Sequence, residues 1–219
     1  GDSAGSGRVV SSAGAGTLTV NLTGTNVIRS TGTALQVAET GAGTANNLLL
    51  SIDNTTFETG SSAATVSVIG QNVSTTASSI GIRSFANNTV IGNGTGGGIR
   101  FEKVDFDSDG AGAAVAAGTL NVGQGTGNRV AGNGLSLIDT TGELGFTTLN
   151  IFNDGGTGLE VDTKTNGFNT VFTLNGGGSG TVDTTNGTAL FLDPLTMNLT
   201  FGTVNSTNAS GSGVYVEGG

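Results

Sequence analysis

Residues 156–192 read GTGLEVDTKTNGFNTVFTLNGGGSGTVDTTNGTALFL, and this stretch decides the fold. It opens with Gly-Thr-Gly-Leu-Glu-Val and ends with a near copy, Gly-Thr-Ala-Leu-Phe-Leu. In both copies a turn of small residues precedes apolar residues at alternate positions, Leu159 and Val161 in the first and Leu190 and Leu192 in the second. Another apolar run and more turn residues lie between the copies. The stretch predicts one complete coil of a parallel β-solenoid.

The same pattern returns along the chain at spacings of 24 to 36 residues. Its leading apolar residues are Leu35, Val66, Ile99, Leu135, Leu159, Leu190 and Val214. Such spacings suit coils of two or three short strands joined by turns of varying length. Coils stacked about 4.8 Å apart pair every backbone N–H and C=O with the coils above and below. The prediction is an all-β fold, a β-solenoid of about six to eight coils over residues 1–219 as a single domain, with Leu135, Leu159 and Leu190 one over another.

A β-sandwich is the competing architecture, because it also consists of many short strands separated by turns. It does not explain why the same motif returns, so the solenoid is favoured. Two further predictions depend on the solenoid. Inward strand positions are expected to hold the phenylalanines Phe146, Phe152, Phe168 and Phe172. At corner positions, where positive φ is tolerated, some of the asparagines Asn133, Asn166, Asn186 and Asn208 are expected to stack as amide ladders.

The composition excludes several classes of protein. The chain has 41 Gly but only one Pro and no three-residue period, so it is not collagen-like. Seven scattered basic residues and a net charge of −9 argue against nucleic acid binding. No segment approaches the roughly 18 apolar residues of a membrane helix. The absence of Cys excludes disulfides and thiolate metal sites. Together with few Lys and abundant Thr, Asn and Gly, it indicates an extracellular bacterial protein.

The segment Asp105-Phe106-Asp107-Ser108-Asp109-Gly110 matches the first half of a calcium loop. Carboxylates at alternate positions converge on a hard cation there, and glycine allows the sharp turn. The second half departs from the pattern, since Ala116 stands where a bidentate Glu is required. Two interpretations stay open: a calcium site formed by Asp105, Asp107 and Asp109, or an acidic, solvated turn after a strand.

The repeated words resemble the right-handed parallel β-helix repeats of large bacterial secreted and surface proteins, including autotransporter-like adhesins. They are GTALQV from Gly32, NGLSLIDTTG from Asn133, GTGLEVDT from Gly156, GTALFLDPLTMNLTFGTVNST from Gly187 and SGVYVEGG from Ser212. The resemblance covers most of the chain from Gly32 onward. It implies a right-handed winding, export, and a role in adhesion or surface structure, and it carries no fixed catalytic residues.

The chain contains neither His nor Cys, so it lacks the residues of Ser-His-Asp and Cys-His catalytic sites. The alternative is a carbohydrate-active β-helix. Pectate lyase-like enzymes resemble this fold and combine acidic calcium ligands with a basic residue that abstracts a proton. The three aspartates near Arg83, Arg100 or Lys103 could imitate that set. Five other aspartates that closely follow strands are interpreted as turn residues that solvate corners: Asp53, Asp139, Asp162, Asp183 and Asp193.

An open solenoid exposes unpaired strand edges, which invite association. The chain is therefore expected to be a segment of a longer solenoid or a subunit that stacks end to end. The function expected from the sequence is that of a non-enzymatic structural or adhesive β-helix, extracellular or on the bacterial cell surface. Its expected partners are copies of itself, neighbouring solenoid segments, and a cell-surface or carbohydrate ligand.

Overall fold

The computed structural model describes residues 2–3, 7–12, 16–40, 44–59, 64–74, 77–92, 96–163, 172–193 and 196–217. Every regular element within these ranges is a β-strand. The described ranges therefore contain no helix that could span a membrane. In chain order the strands are β1 (Asp2–Ser3), β2 (Arg8–Ser12), β3 (Leu18–Leu22), β4 (Asn26–Ser30), β5 (Leu35–Glu39), β6 (Leu48–Ile52), β7 (Thr55–Thr59), β8 (Val66–Ile69), β9 (Asn72–Ser74), β10 (Ala77–Ser78), β11 (Ile80–Ser84), β12 (Thr89–Ile91), β13 (Ile99–Glu102), β14 (Val104–Phe106), β15 (Val115–Val122), β16 (Val130–Ala131), β17 (Leu135–Ile138), β18 (Thr141–Asp162), β19 (Phe172–Gly176), β20 (Thr181–Asp193), β21 (Thr196–Leu199), β22 (Thr203–Thr207) and β23 (Val214–Val216).

Twenty-one of these strands belong to one sheet that winds 305° around an axis, and β9 and β10 form a separate antiparallel hairpin. The chain passes repeatedly through three stacks of parallel strands. Face 1 contains β2, β5, β8, β13, β17, the ends of β18 and β20, and β23. Face 2 contains β3, β6, β11, β14, the start of β18, β19 and β21. Face 3 contains β1, β4, β7, β12, β15, the middle of β18, the start of β20 and β22.

The register on face 1 confirms the parallel β-helix. Leu135 pairs with Leu159, and Leu159 pairs with Leu190, so the three leucines lie one over another in neighbouring windings. The same register joins all seven leading residues of the repeated motif, from Leu35 to Val214. The eight face 1 strands delimit seven windings in the described part of the chain, within the predicted range. A β-sandwich is excluded, because parallel ladders of this kind need a winding chain.

The interior is a continuous stack of aliphatic and aromatic side chains. On face 1 the first inward column holds Leu35, Val66, Ile99, Leu135, Leu159 and Leu190, all buried. On face 3 a matching column consists of Ile28, Phe57, Val90, Val122, Ile151 and Val182. Since successive strand residues point to opposite sides, alternation alone selects these columns.

Four phenylalanines form a chain of ring contacts through this interior. The ring centroids of Phe85 and Phe101 are 5.0 Å apart, those of Phe101 and Phe106 5.3 Å, and those of Phe106 and Phe172 5.9 Å. The first two contacts are edge-to-face, an arrangement that aromatic quadrupoles favour.

The predictions for individual phenylalanines have mixed outcomes. Phe146 and Phe172 are buried as expected. The prediction for Phe152 is wrong: this side chain is only half-buried, because its neighbour Ile151 takes the inward position on the same strand. Phe168 lies outside the described residues.

A column of small residues forms the corner that precedes face 1. This column explains why Gly or Ala directly precedes the leading Leu in several copies of the motif. Its members are Gly7, Ala34, Thr65, Gly98, Gly134, Gly158, Ala189 and Gly213. Backbones of successive windings approach closely there. A Cβ added at Gly98 would lie 1.8 Å from the carbonyl oxygen of Gly134, and one at Gly158 would lie 2.6 Å from that of Ala189. We name this column the small-residue corner.

Asn133 and Asn186 do not take part in the predicted amide ladder. Asn133 donates to Glu160 at 2.7 Å, and Asn186 donates to Asp154 at 2.8 Å, so both bond to carboxylates rather than to one another. Asn186 and Asn208 do adopt positive φ, as expected for corners. Asn166 lies outside the described residues.

Other asparagines connect the windings instead. Asn150 Nδ2 donates to Asn121 Oδ1 at 2.9 Å on face 3. Two fully buried asparagine side chains form hydrogen bonds with backbone groups. Asn88 accepts from the Thr55 N–H at 3.0 Å and donates to the Ile52 carbonyl at 2.8 Å. Asn153 donates to the carbonyls of Gly132 and Gly155, both at 2.9 Å. These amides satisfy backbone groups at corners where the strand ladder is interrupted.

Candidate functional site

The acidic loop, which we define as residues 107–114 between β14 and β15, is folded by its own carboxylates. Asp107 Oδ1 accepts from the backbone N–H groups of Asp109, Gly110 and Gly112 at 3.3, 2.9 and 3.0 Å. Asp109 Oδ1 accepts from the N–H groups of Ala111 and Ala113 at 2.7 and 3.2 Å. A carboxylate that receives several backbone donors closes a loop without any bound ion.

Two contacts lie at the base of the acidic loop. Arg83 on β11 donates to the Asp107 carbonyl, and its Nη1 lies 3.5 Å from Asp107 Oδ2. Asp105 Oδ1 accepts from Thr141 Oγ1 at 2.8 Å in the next winding. The structure therefore brings Asp105, Asp107 and Arg83 together, as the enzymatic alternative requires.

The other two predicted basic residues are placed elsewhere. Arg100 Nε donates to Glu102 Oε2 at 3.1 Å on the same strand, and Lys103 Nζ lies 3.6 Å from Glu102 Oε1. Both cations therefore interact with Glu102 rather than with the aspartates of the acidic loop. Arg83 is the basic side chain that the described structure places against those aspartates.

The two aspartates at the base of the loop have pKa values shifted in opposite directions. Burial raises the pKa of Asp105, the hydrogen bond from Thr141 opposes this, and the charge of Asp107 adds to it. For Asp107, burial acts to raise the pKa, but the N–H donors of Gly112 and Gly110 outweigh it, so the pKa lies below its ordinary value.

We expect Asp107→Asn and Asp105→Asn to change stability with opposite signs at pH 7. A lowered carboxyl pKa stabilises the fold above the ordinary value of 3.8, and this is lost as the pH falls through the folded-state pKa. Asp107→Asn is thus expected to lower the free energy of unfolding at pH 7 by on the order of 1 kcal/mol, and less at pH 3. A raised pKa penalises the charged form, so Asp105→Asn is expected to stabilise at pH 7 and to lose that advantage in acid. Urea denaturation at pH 7 and pH 3 measures both, and equal shifts of the same sign would contradict the assignment.

The loop fits calcium poorly. No group of three or more Asp or Glu side chains in the described ranges is placed to hold a metal ion. Oδ1 of Asp107 and Oδ1 of Asp109 already receive backbone donors, and the Arg83 guanidinium lies 3.5 Å from Asp107 Oδ2. Calcium binding by Asp105, Asp107 and Asp109 stays a prediction.

Calorimetric titration of calcium into the protein and into Asp107→Ala tests that prediction. A calcium site gives heat in the millimolar range that the variant loses. A loop closed by its own N–H donors gives no heat with either protein, and this is the result that the hydrogen bonds favour.

Of the aspartates that follow strands, Asp53 and Asp183 bond to neighbouring windings. Asp53 Oδ1 accepts from Ser84 Oγ at 2.5 Å and from the Ala86 N–H at 2.7 Å. Asp139 is only 2% exposed and has a φ of 49°, so its assignment as a solvated corner residue is wrong. Asp193 is paired with Asp162 of the preceding winding. Burial raises the pKa of Asp193, and the negative charges of Glu217 and Asp162 raise it further.

Asp183 belongs to a clamp that spans several windings. Arg129 Nη1 donates to the carbonyls of Asn153 at 3.1 Å and Asp183 at 2.6 Å, and its Nη2 contacts Asp183 Oδ2 at 2.7 Å. Asn205 donates to Asp183 Oδ1 at 3.0 Å from the following winding. We name this group the Arg129 clamp; it is structural, because both Nη atoms of Arg129 and both carboxylate oxygens of Asp183 are hydrogen-bonded within the protein.

The outer side of face 1 carries features that the motif positions alone did not reveal. One outward column runs Arg100, Ser136, Glu160, Phe191, Tyr215 in successive windings. A notch of about 270 Å³ lies at its first three members. The rings of Phe191 and Tyr215 stack at 4.9 Å with planes 10° apart. Each of these residues directly follows the leading apolar residue of a motif copy. The aligned motif copies therefore predict this outward column if the fold is a solenoid.

A second groove, of about 470 Å³, lies beside the acidic loop and crosses several windings. It is lined mainly by small residues of four windings, including Ala86, Ala116, Gly145 and Gly176. Its shape follows from the absence of large outward side chains.

The two end windings expose apolar side chains that the interior windings bury. We define the head surface as β1, β2 and β3, and the tail surface as β21, β22 and β23. Inward positions on the tail surface remain open: Met197 is 41% exposed, Val204 38%, Val214 50% and Val216 52%. Leu18 on the head surface is 39% exposed, whereas its partner Leu48 in the next winding is fully buried.

The fold defines the class of this protein as an all-β parallel β-helix. Comparison with known protein families, with curated proteins and with solved structures finds no match for the chain. The class therefore follows from the strand topology alone.

Proposed function

We propose that this protein is a non-enzymatic structural or adhesive β-helix, extracellular or on a bacterial cell surface, that assembles end to end. The exposed inward side chains of the end windings carry the proposal. An apolar patch of this kind, next to unpaired strand edges, marks an association surface.

The energetics of covering these residues support weak, concentration-dependent association. Full burial of a Val or Met side chain contributes about 1.5–3 kcal/mol, and the four tail residues are roughly half exposed. Covering them contributes on the order of 3–6 kcal/mol, near the lower end of the estimated association cost of about 4–15 kcal/mol. Strand pairing and the residues of the head surface must supply the rest.

A structural role also agrees with the use of the polar residues. The carboxylates of the acidic loop and the Arg129 clamp are engaged in hydrogen bonds that join backbone segments. A catalytic carboxylate or base needs a free atom directed at a substrate. The alternative proposal is a carbohydrate-active, lyase-like β-helix with a calcium site. The pairing of Asp107 with Arg83 is what favours it. Formation of unsaturated products from acidic polysaccharides in the presence of calcium would support it.

We expect the protein to form larger species as its concentration rises, and Val216→Glu to shift it to the monomer. The substitution places a charge on an inward position that a second copy must cover. Sedimentation velocity between micromolar and millimolar concentrations measures the size, and electron microscopy shows whether the species are linear.

The matched control is Val73→Glu. Val73 is also exposed, at 38%, but it lies on the β9–β10 hairpin away from both end surfaces. The control is expected to associate like the unmodified protein. A monomer at every concentration, or equal effects of both substitutions, would contradict assembly through the ends.

A further inference from the structure

We propose that the notch on the outer side of face 1 binds one neutral sugar ring of a surface glycan, with Arg100 and Ser136 as hydrogen-bond donors and Glu160 as the acceptor. This inference rests on the adhesive part of the proposed function and names its ligand and its site. It does not depend on assembly through the ends.

The notch is a recess in the middle of face 1. Its floor includes Ser136 and Ile138, which occupy outward positions of β17 but are only 4% and 3% exposed. Arg100 pairs with Ser136 from the preceding winding, and Glu160 pairs with it from the following one. The Cα atoms of Arg100 and Glu160 are therefore about 10 Å apart, two winding spacings of about 4.8 Å. Two long side chains thus flank a short one, and this difference in length forms the recess.

Three polar side chains of the notch keep a hydrogen-bonding atom for a ligand. Asn133 Nδ2 donates to Ser136 Oγ at 3.1 Å and to Glu160 Oε2 at 2.7 Å. Among the described residues, none accepts from the Ser136 hydroxyl or donates to Glu160 Oε1. Arg100 donates to Glu102 through Nε and Nη2, which leaves Nη1. A buried hydroxyl ordinarily donates as well as accepts, so Ser136 indicates an acceptor on the ligand.

Asn133 fixes this arrangement before a ligand arrives. Its Oδ1 accepts from the Thr157 N–H at 2.8 Å, while its Nδ2 donates to both Ser136 and Glu160. One amide therefore orients the hydroxyl and the carboxylate together. Groups held in position in the free protein lower the ordering cost of binding.

The charges around the notch balance, which favours a neutral ligand. Arg100 Nη2 and Lys103 Nζ both lie against Glu102. Glu160 supplies a second carboxylate at the other side of the recess. An anionic ligand would meet Glu160 while the guanidinium is already engaged by Glu102.

The size and lining of the notch fit a sugar ring. Its volume is about 270 Å³, just below the range of about 300–1,000 Å³ for pockets that hold drug-sized ligands. Sugar hydroxyls both donate and accept, and the C–H faces of the ring are apolar. Donors and an acceptor around the apolar side chain of Ile138 match that chemistry.

Titration of the isotope-labelled protein with free D-glucose, D-galactose and D-mannose, followed through its amide NMR signals, tests the site. We expect at least one hexose to bind in the millimolar range and to shift the signals of Asn133, Ser136 and Glu160 most. The uronic acid of that hexose is expected to bind more weakly, because its carboxylate meets Glu160.

Glu160→Gln tests the acceptor. The glutamine oxygen can still accept from Asn133, but the amide NH₂ then faces the notch and replaces an acceptor with a donor. We expect the hexose to bind about tenfold more weakly, the effect of one lost hydrogen bond to a charged group. Ser136→Ala removes the hydroxyl donor and is also expected to weaken binding.

The matched control is Glu143→Gln. Glu143 also accepts from an asparagine amide, Asn175 Nδ2 at 2.7 Å, but it lies on face 2 away from the notch. This variant is expected to bind the hexose like the unmodified protein. Circular dichroism of each variant checks that the β-fold is retained.

The inference is overturned if none of the hexoses binds, or if Glu160→Gln and Glu143→Gln bind equally well. Tighter binding of the uronic acid also overturns it. The neutral peptide mimic N-acetylglycinamide would overturn it by shifting the notch signals when no hexose does. Sedimentation of the unmodified protein separates the two proposals: oligomers that bind no hexose leave assembly standing, and a monomer that binds a hexose leaves the sugar site standing.

Discussion

Phe106→Ala is expected to lower the free energy of unfolding by about 3–5 kcal/mol, the range for deleting a buried aromatic ring. Phe106 is fully buried and contacts the rings of Phe101 and Phe172. Removing it leaves a cavity in the middle of the stack and interrupts the aromatic chain in both directions. Guanidinium denaturation followed by circular dichroism measures the loss.

Phe191→Ala is the matched control. Phe191 is half-buried on the outer side of face 1 and stacks on Tyr215. Losing this contact costs about 0.5–1.5 kcal/mol for the ring pair, with little cavity formation. Equal losses for the two variants would show that the interior packing described for Phe106 does not determine stability.

Gly98→Ala is expected to destabilise the protein by about 1–3 kcal/mol or more, although the change adds a single methyl group. The new Cβ would lie 1.8 Å from the Gly134 carbonyl oxygen, and this oxygen accepts the Ile99 N–H bond at 2.8 Å. The backbones of two windings must separate, so the ladder weakens at the small-residue corner. The same denaturation experiment measures the effect.

Gly145→Ala provides the control for the glycine substitution. A Cβ at Gly145 meets no atom within 4 Å. The variant is expected to be neutral or more stable by about 0.4–1 kcal/mol, because alanine restricts the unfolded chain. A destabilised Gly145→Ala together with an unaffected Gly98→Ala would refute the close approach at the corner.

The sequence predicted the face 1 ladder well, because a single motif recurs there with its apolar residues at alternate positions. The alignment of leading residues from Leu35 to Val214 is the register of the structure. Faces 2 and 3 have no comparable motif. Their strands were visible only as short apolar runs, and the outward position of Phe152 depended on a register that such runs do not define.

The acidic loop shows why the candidate site could not be predicted to the same degree. Alternating aspartates followed by a glycine suit a calcium loop and equally suit a loop closed by its own N–H donors. Gly110 has a φ of 83°, which either loop requires. The choice between a calcium site and a self-closed loop depends on the contact of Arg83, from another winding, with Asp107. The local sequence pattern does not predict that contact.

The Arg129 clamp has a mechanical consequence. In a solenoid each winding contacts chiefly its neighbours, so tension along the axis loads the ladder hydrogen bonds end-on and detaches one winding after another. Arg129 bonds to Asp183, two windings away, and thereby couples three windings into one unit. When the protein is stretched from its C-terminal end, we expect windings to detach one by one until the Arg129–Asp183 contact is loaded. Single-molecule stretching should then show one force peak, and Arg129→Ala should remove it.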